Sequence, residues 1–110
     1  MSSVPEKDCK ILSGLREKLL NSACDTIFRR IEQISSARKE REHQAYLELW
    51  QEIKKQDDAI AEMFDDLKRS NAVFKMAALK HYGVLTVEQM ALFSTETQEQ
   101  VARLCEFRRE

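Results

Sequence analysis

The longest stretch of the chain without a helix breaker runs from residue 15 to residue 82. It lies between the two glycines, Gly14 and Gly83, and none of its 68 residues is glycine or proline. Hairpin turns and tight loops depend on these two residue types, so an all-β sandwich or barrel is nearly excluded. The stretch is instead rich in Leu, Glu, Lys, Arg, Gln and Ala, which favour helices. The sequence therefore predicts an all-α fold.

Apolar residues recur at helical spacing within this stretch and predict two long helices, over 8–34 and over 44–82. In the second, apolar side chains recur every seven residues, with a second row between them that Gln56 and Ser70 interrupt. Such a repeat is typical of helices wound around each other, although an ordinary amphipathic helix in a bundle fits it equally well. The predicted interaction residues of this helix are Tyr46, Leu49, Trp50, Ile53, Ile60, Met63, Phe64, Leu67 and Phe74.

The segment from Ser35 to Gln44 separates the two apolar stripes and contains no large apolar residue. It is either a solvated part of one continuous helix about 100 Å long or a turn that folds the second helix onto the first. The serine pair weakens a helix interior, which favours the turn. The fold expected is a long antiparallel helical hairpin or coiled coil with a short C-terminal helical tail.

Capping signals define the ends of the predicted helices within a single domain, 1–110. Asp8 is placed to cap the first helix, and Gly83 to end the second. Thr86 and Gln89 form a capping box that starts the tail helices, 86–109, and Thr95 with Gln98 repeats the pattern.

The chain offers few residues for catalysis or metal binding. His43 and His81 are 38 positions apart, and neither has a second ligand four residues along the helix. Cys9, Cys24 and Cys105 are odd in number and widely spaced, which suits reduced, packed side chains in the cytoplasm or nucleus. We therefore expect no enzyme activity, no catalytic or metal site and no cofactor.

The charge pattern bears on the partners. The net charge is −1. The basic segment with Arg29-Arg30 and Arg38-Lys39 also contains Glu32, Glu40 and Glu42 and has no asparagine to read a base, which argues against direct nucleic-acid binding. No apolar run approaches the roughly 20 residues that span a bilayer. The sequence predicts an assembly or adaptor subunit that binds a protein partner, or itself, through its helices.

The C-terminal third carries a family resemblance. The matching residues are Lys68-Arg69-Ser70-Asn71, Val73-Phe74-Lys75-Met76, Leu85-Thr86-x-x-Gln89-Met90 and Thr97-Gln98. This segment, Lys68 to Arg103, resembles the end of the plant delay-of-germination type domain that TGA-type basic-zipper factors share. The Trp-Gly-Gly segment of that family has no counterpart here. The resemblance implies the alternative function of a nuclear transcriptional regulator or co-regulator that binds partner proteins.

Overall fold

The computed structural model describes residues 4–109, so residues 1–3 and 110 of the predicted domain lie outside the described residues. No strand occurs within 4–109, and the all-α prediction is confirmed there. The helices are α1 (Glu6–Ser36), α2 (Glu42–Phe64), a single 3₁₀ turn (Arg69–Asn71), α3 (Ala72–His81), α4 (Val87–Met90) and α5 (Thr95–Arg109).

The molecule has a broad end and a narrow end. α2 turns back alongside α1, and Arg30 Nε on α1 lies 3.4 Å from Glu52 Oε1 on α2. α3 packs against both α2 and α5, which places the remaining helices at the end of the pair that carries the start of α1. The principal dimensions, 53 × 29 × 24 Å, reflect the projection of the α1–α2 pair beyond the other helices.

The hydrophobic core occupies the broad end only. Its buried cluster extends no further along the pair than Ala23 on α1 and Ala59 on α2. α3 lies at its centre, and Met76 is fully enclosed. Towards the narrow end the buried apolar side chains are Ile34 and Ala45 alone among the described residues. A two-helix layer without a covering layer cannot enclose large side chains on both of its faces.

The connection between α1 and α2 is a turn, residues 37–41, and not a continuous helix. The Ser36 hydroxyl donates to the Glu32 carbonyl at 2.5 Å, the local competition that weakens a helix interior. Glu40 adopts a left-handed backbone conformation with φ of 64°. α1 itself extends two residues beyond each end of the predicted range.

The predicted helix over 44–82 is wrong, because α2 ends at Phe64 and α3 begins at Ala72. Asp66 takes a left-handed φ of 56°. The Asn71 side chain then accepts from the Lys68 backbone N–H at 2.9 Å and donates to the Asp66 carbonyl at 2.7 Å. These bonds satisfy backbone groups that a continuing helix would have paired within itself. The chain therefore changes direction before Phe74, and the seven-residue repeat does not continue along one helix.

The tail begins with the predicted cap. The Thr86 hydroxyl accepts from the Gln89 backbone N–H at 3.1 Å, and the Gln89 side chain accepts from the Thr86 N–H at 2.9 Å. α5 departs from expectation by one residue, since its capping hydroxyl belongs to Ser94 and accepts from the Thr97 N–H. Gln98 instead donates to the Phe93 carbonyl. Hydroxyl side chains at positions 94, 95 and 97 made this cap ambiguous in the sequence.

Asp8 does not cap α1, contrary to the prediction, because α1 begins at Glu6 and Asp8 is buried in its first turn. Its carboxylate accepts from the Ser94 N–H at 3.0 Å, from the Ser94 hydroxyl at 2.6 Å and from the Thr97 hydroxyl at 2.5 Å. Burial raises the pKa of Asp8, but these hydrogen bonds and the charge of Lys7 outweigh it and hold the pKa below its ordinary value. Asp8 thus joins α1 to the start of α5.

Replacing Asp8 by Asn should lower the free energy of unfolding at neutral pH by about 1–3 kcal/mol, because buried hydroxyls lose a charged acceptor. A carboxyl with a depressed folded-state pKa stabilises the fold above its unfolded pKa, near 3.8, and loses that contribution as the pH falls through the folded value. The difference between the two proteins in urea unfolding should therefore shrink at pH below about 4. Asp25→Asn, at an exposed site on the same helix, is the matched control. A pH-independent difference would contradict this role.

The two glycines should respond to alanine with opposite signs. Gly83 has φ of 74°, while Gly14 lies inside α1, and an added Cβ meets no atom within 4 Å at either position. Gly83→Ala should cost about 1 kcal/mol, since an L-residue is strained in the left-handed region. Gly14→Ala should stabilise by about 0.5–1 kcal/mol through helix propensity. Urea denaturation followed by circular dichroism measures both, and equal signs would contradict the assigned conformations.

Candidate interaction surface

Large apolar side chains are exposed on one side of the narrow end. Trp50 is 63% exposed, Tyr46 64%, Phe28 62% and Ile53 41%. Half-buried Cys24, Ile31 and Leu49 lie in the same rows. We call these seven residues the narrow-end surface: Cys24, Phe28, Ile31, Tyr46, Leu49, Trp50 and Ile53.

Helical spacing explains why these side chains share a side. On α2, Tyr46, Trp50 and Ile53 fall at positions i, i+4 and i+7, within about 60° around the helix axis. The α1 row has the same spacing and continues from Ile31 to Ser35. Ser35 and Tyr46 line one groove between the helices, together with Ile34 and Leu49. The two rows therefore lie next to each other on one face of the α1–α2 pair.

The opposite face of the pair is polar. Arg41 Nη2 lies 2.5 Å from Glu48 Oε1. The Glu52 carboxylate accepts hydrogen bonds from Gln56 Nε2 at 2.7 Å and from Arg30 Nε at 3.4 Å. The bond from Gln56 lowers the pKa of Glu52 despite its partial burial, and Arg30 adds to the effect. Arg41 likewise lowers the pKa of Glu48 by hydrogen bonding. Both carboxylates are thus held in their charged form on this face.

The residues on the side of α2 that faces α1 explain why Tyr46, Trp50 and Ile53 are not packed between the two helices. This side carries small or polar residues at helical spacing, Ala45, Gln56 and Ala59, with Leu49 at the edge next to the exposed apolar row and Glu52 at the edge next to the polar face. Alanine permits close approach of the helices, and Glu52 and Gln56 satisfy each other there. The row beginning at Tyr46 is turned about 100° from the row beginning at Ala45. The predicted seven-residue stripe is therefore not the face buried against α1.

The structure divides the nine predicted interaction residues. Tyr46, Trp50 and Ile53 are exposed and Leu49 is half-buried beside them, while Ile60 and Leu67 pack against the core of the broad end. Met63 and Phe64 are each only 3% exposed within that core, so their assignment to an interaction surface is wrong. The reason is that α3 covers the end of α2 that carries them.

Phe74 lies apart from the other predicted residues. It is half-exposed on α3 and lines a groove with Leu104 and Phe107 of α5. Beside this groove the Glu62 carboxylate accepts from the Tyr82 hydroxyl at 2.6 Å and pairs with Arg108 at 2.6 Å. The Tyr82 bond lowers the pKa of Glu62, and the same bond raises the pKa of Tyr82.

Three members of the narrow-end surface, Cys24, Ile31 and Phe28, are absent from the nine predicted interaction residues, and Phe28 is the most exposed of the three. It follows Cys24 by four residues and precedes Ile31 by three, so the same periodicity would have included it. The apolar stripe that predicts the first helix comprises Leu20, Cys24, Ile27, Ile31 and Ile34, and it combines this row with the neighbouring row of Ile27 and buried Ile34. The signal was present, but two overlapping apolar rows on α1 made the sequence ambiguous.

Within residues 4–109 no three His, Cys, Asp or Glu side chains lie close enough together to hold a metal ion. Cys9, Cys24 and Cys105 are free thiols. The ring of His81 stacks edge-on against Tyr82 at 5.1 Å. Of the helices described, none combines the length and apolar character needed to cross a membrane.

Comparison with known proteins adds no relative. No family model matches the chain, no curated protein matches it, and no solved structure matches it. The segment that resembles the delay-of-germination type domain, 68–103, comprises the 3₁₀ turn, α3, α4 and the first part of α5.

Trp50 is the single tryptophan of the chain, so its fluorescence reports on the narrow-end surface directly. In dilute solution we expect an emission maximum close to that of tryptophan in water and strong quenching by acrylamide, because most of the ring is exposed. The double variant Trp50→Phe with Phe64→Trp moves the reporter into the core and should show blue-shifted, weakly quenched emission. Equal quenching of the two proteins would contradict the exposure of position 50.

Proposed function

We propose that this protein is a non-enzymatic interaction module, an assembly or adaptor subunit whose α1–α2 pair acts as an antiparallel hairpin. Its narrow-end surface would bind a helical protein partner. One observation carries the proposal: three aromatic side chains, Phe28, Tyr46 and Trp50, are each more than 60% exposed on one face. The broad end has a core of its own, so the exposed rows are not needed to complete it.

The exposed area is large enough to contribute to binding. With up to about 250 Å² per aromatic side chain, the three rings and Ile53 leave roughly 500 Å² of apolar surface in water. This lies within the range of the largest apolar patches on monomers, which are often functional. Covering it contributes about 12 kcal/mol at about 25 cal/mol per Å² before the costs of association, which are of similar size. Aromatic anchors therefore need a complementary partner with additional contacts.

The shape of the surface favours a helical partner over a small ligand. Two rows of side chains lie side by side along the helix axes, a groove opens between the helices beside Tyr46 and Leu49, and the anchors of α2 recur at i, i+4 and i+7. An amphipathic helix presents side chains at matching spacing and docks along such a groove. Trp50 and Tyr46, with apolar rings and polar atoms, are residue types enriched among interface hot spots.

The regulator function that the family resemblance implies stays a prediction, as does location in the cytoplasm or nucleus. The same surface would serve a co-regulator that binds partner proteins.

Site-specific photo-crosslinking tests the proposed function. A photoreactive amino acid replaces Trp50 in the full chain, expressed in its native cells, and crosslinked proteins are identified by mass spectrometry. We expect discrete protein adducts from position 50, because a bound partner covers that side chain.

The matched control carries the photoreactive residue in place of Val87, which is 83% exposed on α4, away from the narrow-end surface. Adducts from both positions alike would indicate indiscriminate labelling, and the absence of any protein adduct from position 50 would contradict the proposal.

A further inference from the structure

The geometry points to a second copy of this chain as the occupant of the narrow-end surface. In this arrangement two α1–α2 pairs pack face to face around a two-fold axis, with their tips pointing in opposite directions. The four helices then form a bundle between two broad ends. This inference rests on the proposed function and deepens it by naming the partner.

The surface is suited to self-association because it is itself a layer of two antiparallel helices. A two-fold interface uses the same patch on both subunits. Two such layers stacked face to face give the four-helix bundle, in which every helix buries one apolar stripe. The equal i, i+4, i+7 spacing of the rows on α1 and α2 supplies one stripe for each of the four helices.

The exposed apolar area is more than half of what a stable dimer buries on each subunit. Standard interfaces bury about 800 Å² on each partner. The exposed rings and Ile53 supply roughly 500 Å² of this, by the same full-area figure for aromatic side chains. The half-buried Cys24, Ile31 and Leu49 lie on the same face and add to this area.

The charges at the two ends of the surface favour opposed tips. At the tip, Arg38 lines the same groove as Tyr46, next to Lys39, although Glu42 also lines it. At the other end the α1 row continues, seven residues before Cys24, to exposed Glu17. On α2 the row continues, four residues after Ile53, to exposed Asp57. If both tips pointed the same way, basic residues would face basic residues and acidic residues would face acidic residues. With the tips opposed, the basic end of one copy lies against the acidic end of the other.

A two-fold axis near Phe28 places a specific pair of charges together. Arg38 and Glu17 lie ten and eleven residues from Phe28 in opposite directions. At 1.5 Å per residue, Glu17 lies about 16 Å from the axis along α1, and Ser36, the last residue of α1, lies about 12 Å away in the other direction. Arg38 follows Ser36 by two residues in the turn, so the two-fold rotation brings Glu17 and Arg38 to similar levels. Arg38 of one copy then faces Glu17 of the other copy, and the symmetric pair forms at the opposite end of the bundle. On α2, Ile53 lies near the level of Phe28. It is the residue after Glu52, which contacts Arg30, and Arg30 follows Phe28 by two residues.

The mass of the purified chain in solution tests the inference. Light scattering coupled to size exclusion should give a mass rising from 12.9 kDa towards twice that value as the concentration increases through the micromolar range. Trp50→Glu should weaken dimerisation more than about 100-fold, because it places a charge at the centre of the interface. Val87→Asp, a control at an exposed apolar residue of α4, should leave the dimer unchanged.

Charge reversal tests the arrangement of the two copies. Glu17→Arg and Arg38→Glu should each weaken the dimer by roughly threefold to tenfold, in line with exposed ion pairs. Mixing the two single variants should restore association, since every facing pair in the mixed dimer again joins opposite charges. Both side chains are exposed, so circular dichroism should show unchanged helices.

The outcomes separate this inference from the proposed function. A monomeric mass at all concentrations overturns self-association, and position-50 adducts to a different protein would then keep the proposed function intact. A dimer insensitive to Trp50→Glu overturns the assigned surface. A dimer lost with Trp50→Glu, but not restored by mixing the charge variants, overturns the opposed-tip arrangement.

Discussion

The close packing of α1 on α2 through small and polar residues is the constraint on which the rest of the structure depends. Ala45 and Ala59 let the two helices approach, and Glu52 pairs with Arg30 and Gln56 along the same seam. The row of Tyr46 and Trp50 is turned about 100° from this seam and therefore lies outside it. The apolar residues that could interact with a partner are therefore exposed as a consequence of how the pair itself is held together.

The two ends of the molecule differ in how far they bury their apolar side chains. At the broad end α3 is enclosed by α2 and α5, and Asp8 links α1 to Ser94 and Thr97 by hydrogen bonds inside the protein. This end forms a core from one chain. At the narrow end residues 4–109 provide only two helices, which can bury the side chains between them but not those on an outer face. Stability is thus concentrated in the broad end, while the narrow end keeps apolar surface available for binding.

Sequence signals predicted the structure correctly where it depends on interactions between residues close together in the chain. The absence of helix breakers and the capping box at Thr86 and Gln89 predicted helices that the structure contains. They failed where distant groups compete for the same atoms. Asp8 had the chemistry of a helix cap, but Ser94 and Thr97, far away in the chain, provide stronger buried partners. The end of α2 at Phe64 depends similarly on Asn71, whose side chain satisfies the turn from several residues away.

The sequence by itself determined that this chain is helical and that its apolar residues form stripes, because propensity and periodicity are properties of consecutive residues. Only the tertiary structure decided which stripe is buried, because that depends on what lies opposite each helix. Met63 and Phe64 belong to the core because α3 packs over them, whereas Tyr46 and Trp50, on the same helix, are exposed where no other helix of residues 4–109 packs. A repeat along one helix specifies a direction around its axis, but burial requires a second element in that direction.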